Sequence, residues 1–166
     1  MAVTASSVEI VSGAYALVVY ISRRMRTRDA EEIMPHLWSP TPEDLAAHSV
    51  HGGASWVALK DGQPVAAWGV QERLPQVWTV WMYATDDWPA VALSATRHIK
   101  SVVREHMISR GAVRADCWSM DGHDEAHRWL EVLGARREAS LEDYGRNRQT
   151  YHCYSWTKTR LENGEF

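Results

Sequence analysis

His123 and His127 stand four residues apart in Asp121-Gly122-His123-Asp124-Glu125-Ala126-His127. On a helix that spacing puts two imidazoles on one face, as in a zinc pair. The pattern is close to H-E-x-x-H. However, Asp124 stands where a metalloprotease carries its glutamate base, and no third ligand follows at a known spacing. No metal site is expected; solvated or helix-capping histidines suit these positions better.

Other reactive groups give weaker signals. Arg23-Arg24-Met25-Arg26-Thr27-Arg28 is the one strongly basic run. A solvated turn is its default reading, and contact with a phosphate or an acidic protein is the sharper one. Cys117 and Cys153 each fall in a predicted strand and read as reduced thiols; a disulfide is not indicated. His98 and His106 lie eight apart in a predicted helix and receive no chemistry. No Ser/His/Asp set, phosphate loop or paired-carboxylate motif stands out.

These residues must be positioned by ordinary elements. Val8 to Ser22, rich in Val, Ile, Tyr and Ala, reads as an opening strand. Asp29 with Glu32 three on reads as a variant capping box, and Pro35 must kink or end the helix that follows. Thr41-Pro42-Glu43-Asp44 is a strong helix start, and Gly52-Gly53 its stop. Trp56 to Lys60, Asp61-Gly62 and Gln63 to Gln71 form a hairpin signature, with another strand at Val77 to Ala84. Trp88 to Arg110 is the longest predicted helix, with Ala92, Ala95, Ile99, Val102 and Val103 as its stripe. A strand at Val113 to Ser119 precedes the histidine-bearing helix. That helix reads Asp121 as cap, an apolar stripe at Ala126, Trp129, Leu130 and Leu133, and Gly134 as stop. Strands at Ala135 to Ser140 and Gln149 to Thr157 close the order, joined by a polar loop around Asp143 to Asn147.

The totals agree with one α/β domain spanning residues 1–166, with 1–7 and 159–166 expected as loose tails. Apolar residues make up 45% and charged residues 23%, an ordinary globular composition. A net charge of −3 gives no reason to expect non-specific nucleic-acid binding. The longest apolar run, Ala14 to Ile21, is too short to span a bilayer. Met1 to Ser7 carries no positive charge ahead of an apolar core, so no signal peptide is expected. Nine Trp against one Phe points to a Trp-rich core and sheet face.

The element order and the last helix resemble the GNAT acetyltransferase fold, from about Ile21 to Lys158. The family pattern is Asn, Ala three on, Tyr four on, Gly four on, then Phe; here His123, Ala126, Leu130, Gly134 and Ala135 stand there. The fold so implied is an α/β, GNAT-like mixed and mostly antiparallel sheet of about six to seven strands flanked by about four helices. The chain is more closely similar to a small phage family of GNAT-like proteins that includes the internal virion protein A of short-tailed phages. The matching features are Tyr83-Ala84-Thr85-Asp86, the basic helix around Arg97 to Arg104, the Leu130-x-x-x-Gly134-Ala135 ending, and the closing Tyr154-Ser155-Trp156-Thr157-Lys158. That likeness implies a non-catalytic or degenerate relative acting in virion assembly or as an internal virion component. Its partners would be other phage proteins, and its place the host cytoplasm or the phage particle. An active acyl-CoA-dependent N-acetyltransferase with an atypical site is the alternative.

GNAT enzymes hold the CoA pyrophosphate at a glycine-rich helix start, where free N–H groups and the helix dipole attract an anion. Here the start reads Thr85-Asp86-Asp87-Trp88-Pro89. It has no glycine, two carboxylates where phosphates would arrive, and a proline without a donor. If Asp86 or Asp87 caps the helix, it takes the same N–H groups. No cofactor is therefore expected. Under the alternative, acetyl-CoA would run along Met82, Tyr83, Ala84, Thr85 and Ala90. The tyrosine that commonly protonates the leaving thiolate is replaced by Leu130, so Tyr144 or Tyr151 would have to substitute. Glu72, ending the strand that lines the cleft in that family, is the candidate base.

Overall fold

The computed structural model describes residues 7–164. Its strands are β1 (Val8–Ser12), β2 (Ala54–Lys60), β3 (Gln63–Leu74), β4 (Val77–Ala84), β5 (Arg114–Met120), β6 (Arg136–Leu141) and β7 (Tyr151–Thr157). Its helices are α1 (Tyr15–Ser22), α2 (Thr27–Ile33), α3 (Pro42–His51), α4 (Ala92–His98), α5 (Arg104–Ile108), α6 (Asp124–Val132) and α7 (Lys158–Glu162). They form one mixed sheet in the order β1-β2-β3-β4-β5-β7-β6, in which only β4 and β5 pair in parallel.

Local chemistry explains most boundaries. The β2–β3 turn needs left-handed backbone at both central positions, and Asp61 and Gly62 supply φ of 49° and 79°. Thr41 Oγ1 accepts from the Asp44 N–H at 3.2 Å, with Pro42 opening α3. Pro35 falls in the single 3-10 turn (Met34–His36) that ends α2.

Each sheet face buries its own core. Val18, Ile21, Leu45 and Ala46 of α1 and α3 pack on Val57, Ala67 and Tyr83. On the other face Ala95, Ile99, Val103 and Met107 meet Trp68, Val70 and Trp78, and Leu130 and Leu133 join the same core. The four helix residues recur at every fourth position. In a 3.6-residue helix that stripe drifts by about 40° per step. A π-helical segment (Ile99–Val103) joins α4 to α5 and widens the turn there, which returns the stripe to the sheet. Val102 consequently points outward, 47% exposed, and is not part of the stripe.

Several expectations are corrected. The opening segment is not one strand: Gly13 and Ala14 separate β1 from α1, and seven of its apolar residues lie in a helix. The chain beyond Thr159 does not trail loosely. It continues α7, whose Leu161 is fully buried, and Arg104 donates to the carbonyls of Leu161 and Glu162. Of the two expected tails, residues 1–6 and 165–166 lie outside the described residues. Cys117 and Cys153 are free and sit at registers of opposite face, since Cys117 opposes Tyr154 and Trp118 opposes Cys153. Among the described residues, no helix is long and apolar enough to cross a membrane.

Candidate functional site

The parallel pair β4–β5 is joined only from Val77↔Arg114 to Thr79↔Asp116. Beyond it the two strands part. Backbone direction alternates along a strand, and two contacts fix which residues of β4 face the gap. The Gln76 carbonyl accepts from Val113 at 2.9 Å, and the Ala84 N–H turns away from β3 to Asp29. Met82 shares their parity and lies past the last ladder pair, so its N–H and C=O face the gap with no strand opposite. On β5 the Asp121 N–H bonds Thr150 of the neighbouring chain segment, so Met120 and Trp118 face the gap from the other side.

α2 clamps the far end of this gap. Asp29 Oδ2 accepts from Ala84 N–H at 2.9 Å, and the Arg26 N–H donates to the Ala84 carbonyl at 2.9 Å. One turn on, Glu32 Oε1 accepts from Met120 N–H. One helix therefore bonds the ends of both parted strands. Arg26 holds Asp29 through Nε and Nη2 at 3.1 and 2.9 Å and reaches Glu125 at 3.3 Å. His123 sits between the two carboxylates, with Nδ1 3.3 Å from Glu32 and Nε2 3.6 Å from Asp29.

The electrostatics follow from burial. Asp29 is 2% exposed; desolvation raises its pKa above the ordinary carboxylate value, against the pull of Arg26 and the Ala84 N–H. Burial alone would lower the pKa of His123, but the Glu32 hydrogen bond and the two nearby carboxylates raise it overall.

Behind this clamp lies a cavity of about 150 Å³. Its walls are mostly apolar: Val80 and Met82 of β4, Ile99 and Val103 of the long helix, and Leu130 and Leu133 at α6. Trp88 and Trp129 meet edge to face at 5.3 Å, and Trp129 Nε1 donates to Thr96 Oγ1 at 2.9 Å.

The turn that precedes α4 uses its own donors, while α4 itself starts without a side-chain cap. The Trp88, Ala90 and Val91 N–H groups bond Thr85, Asp87 and Trp88 carbonyls, and the Asp87 N–H faces Thr85 Oγ1 at 3.4 Å. Neither Asp86 nor Asp87 caps the helix; both are exposed, and Val91 is the capping position.

The residues singled out from sequence are scattered. Met82 lines the cavity. Ala84 is held by α2, and Thr85 N–H bonds Val65. Ala90 is exposed. Tyr83 lies on the opposite face of the sheet, its hydroxyl 2.8 Å from Ser49 Oγ. Glu72 is exposed at the β3–β4 turn, where it accepts from the Gln76 N–H. Tyr144 is 42% exposed and packs on Trp118 outside the cavity. Tyr151 donates its hydroxyl to the Glu32 carbonyl at 2.6 Å, which turns it away from the gap.

Neither helix histidine is fully solvated, and His123 holds the cap position of α6. His123 is 3% exposed, and His127 Nε2 is enclosed without a hydrogen-bond partner. No group of His, Cys, Asp and Glu among the described residues is arranged to hold a metal ion. The basic run is absorbed internally. Arg23 pairs with Glu43, Arg24 lies over the Tyr20 ring, Arg26 binds Asp29 and Arg28 pairs with Glu31. The clamp itself escaped sequence reasoning. Its one signal was Asp29 with Glu32, which resembled a capping box, but α2 starts at Thr27 and both carboxylates turn inward to the sheet.

No family model matches the sequence, and no curated protein matches it. Solved structures match it along nearly the whole chain. One, provisionally assigned as an acetyltransferase, superposes with a TM-score of 0.72 at 18% identity, covering 99% of this chain and 92% of the other. The ribosomal-protein-S18-alanine N-acetyltransferase of Escherichia coli gives 0.68 at 14% identity, covering 91% and 94%. An acetyltransferase of the GNAT family from Bacillus anthracis gives 0.69 at 9% identity, covering 92% and 95%. At these identities the likeness establishes the fold alone: the chain has the GNAT-type fold that the element order and α6 imply.

Proposed function

We propose that this protein is a GNAT-fold relative that has left acyl transfer behind and serves as a structural or assembly component. The observation that carries this reading is the closed route between the helix start and the gap. Both backbone groups of Ala84 are bonded to α2, where an extended acyl-carrier arm would have to pair. The Trp88, Ala90 and Val91 donors ahead of α4 are used within their own turn, and Asp86 and Asp87 would repel a pyrophosphate there. These residues do not fit CoA. Leu130, buried against the cavity, cannot protonate a leaving thiolate. The phage particle or its assembly is the setting that the sequence motifs imply, with other phage proteins as partners.

Calorimetric titration with acetyl-CoA is the test. The expected result is no binding at millimolar ligand; micromolar binding overturns the proposal.

A second reading is an acyl-CoA-dependent N-acetyltransferase with an atypical site. It is favoured by the Glu32–His123 pair and the uncovered Met82 amide lining one cavity, which offers a base and a backbone donor to the same space. Thiol release from acetyl-CoA in the presence of primary amines would support it, and loss of that release in Glu32→Gln would assign the base.

A further inference from the structure

The cavity behind the α2 clamp has a chemical character of its own, independent of whether acyl transfer survives. Every charged group at its mouth is already paired. Arg26 is held by Asp29 and Glu125, and His123 by Glu32, whose other oxygen takes the Met120 N–H. A charged ligand would lose its hydration and find no free counter-charge. The walls are aliphatic and aromatic, and the volume is about 150 Å³. An apolar protein cavity of roughly that size stays dry and takes up benzene.

Polar groups are nevertheless present inside. Met82 turns its N–H and C=O into the gap beyond the last ladder pair. An unmet backbone donor and acceptor in a largely apolar pocket with a paired, charged mouth favour an occupant that satisfies them without bringing charge.

We propose that this cavity is a binding site for a small, flat, neutral aromatic molecule carrying one hydroxyl or similar hydrogen-bonding group. The ring occupies the apolar space between β4, the long helix and α6. The polar group meets the Met82 backbone edge.

The test uses the intact protein and four probes built on one benzene ring: phenol, benzene, benzoate and benzylammonium. Calorimetry or ligand-detected NMR should show phenol binding about fivefold more tightly than benzene, the advantage of one buried hydrogen bond. It should bind at least about tenfold more tightly than either ion. In amide NMR spectra of the wild-type protein, phenol should shift the Met82 resonance. Ala126→Phe, which places a ring in the cavity from α6, should abolish the effect. Tighter binding of benzoate or benzylammonium than of phenol overturns the proposal. So does phenol binding that leaves the Met82 amide unmoved, or no phenol binding at millimolar concentration. Acetyl-CoA binding bears on acyl transfer alone and leaves this result standing.

Discussion

Asp29 Oδ2 lies 2.9 Å from the backbone nitrogen of Ala84, across the end of a strand that has lost its parallel neighbour. A side chain here does what the next strand would do. Asp29→Ala should therefore remove more than an ion pair. It strands a buried N–H and leaves the Arg26 guanidinium, 14% exposed, without its bidentate partner. We expect a loss of about 3 kcal/mol in urea denaturation. Asp29→Asn keeps an acceptor for Ala84 and should lose less. Equal losses for the two variants would mean that the Ala84 bond contributes nothing.

His123 gives the clamp a pH dependence with a definite sign. Its folded pKa is raised above 6.5, so the protonated form is favoured in the folded state. The stability it contributes is fully present below about pH 6.5 and is lost as pH rises through the folded value. His36, His98, His106 and His127 are shifted the other way by burial, so wild-type stability alone mixes both signs. The comparison with His123→Gln isolates the residue. The melting-temperature advantage of wild type over the variant should shrink between about pH 6 and pH 9. A constant or growing advantage contradicts this assignment.

Much of the fold was legible because its signals are local. Asp61-Gly62, Thr41-Pro42 and Pro35 each act within one turn, and each does in the structure what its chemistry requires. Tertiary contacts decided the rest. Tyr15 to Ser22 has strand-like composition but forms α1, because α3 and the sheet face it covers bury Val18 and Ile21. The clamp was invisible for the same reason: Glu32 meets Met120 across 88 residues of chain. Asp121 reads as a cap in sequence, yet its carboxylate is 2.9 Å from His152 Nε2 and α6 starts at Asp124.

The chain's end offers a direct check on packing. Leu161 is fully buried, and Arg104 Nε donates to its carbonyl at 2.7 Å. Leu161→Ala should cost about 2–4 kcal/mol. Truncation after Thr157 should cost at least as much, because it also removes the acceptors of Arg104. Unchanged urea midpoints for both would mean that α7 does not dock in solution.

Helix α6 separates two neighbours that the sequence places on one stripe. Leu130 is 7% exposed and packs in the main core, whereas Trp129 is only half-buried at the cavity rim. Leu130→Ala should follow the usual core cost of about 2–5 kcal/mol. Trp129→Ala removes a larger side chain but less buried area, and the Thr96 hydroxyl it leaves can still donate to the Ala92 carbonyl at 2.7 Å. We expect about 2 kcal/mol, roughly half of what a fully buried tryptophan costs. Trp129→Phe should recover part of that by keeping the edge-to-face contact with Trp88. The order Leu130→Ala above Trp129→Ala above Trp129→Phe, read from chemical denaturation, is the expected outcome. A Trp129→Ala loss exceeding that of Leu130→Ala would place the tryptophan, not the leucine, at the centre of the helix–sheet contact.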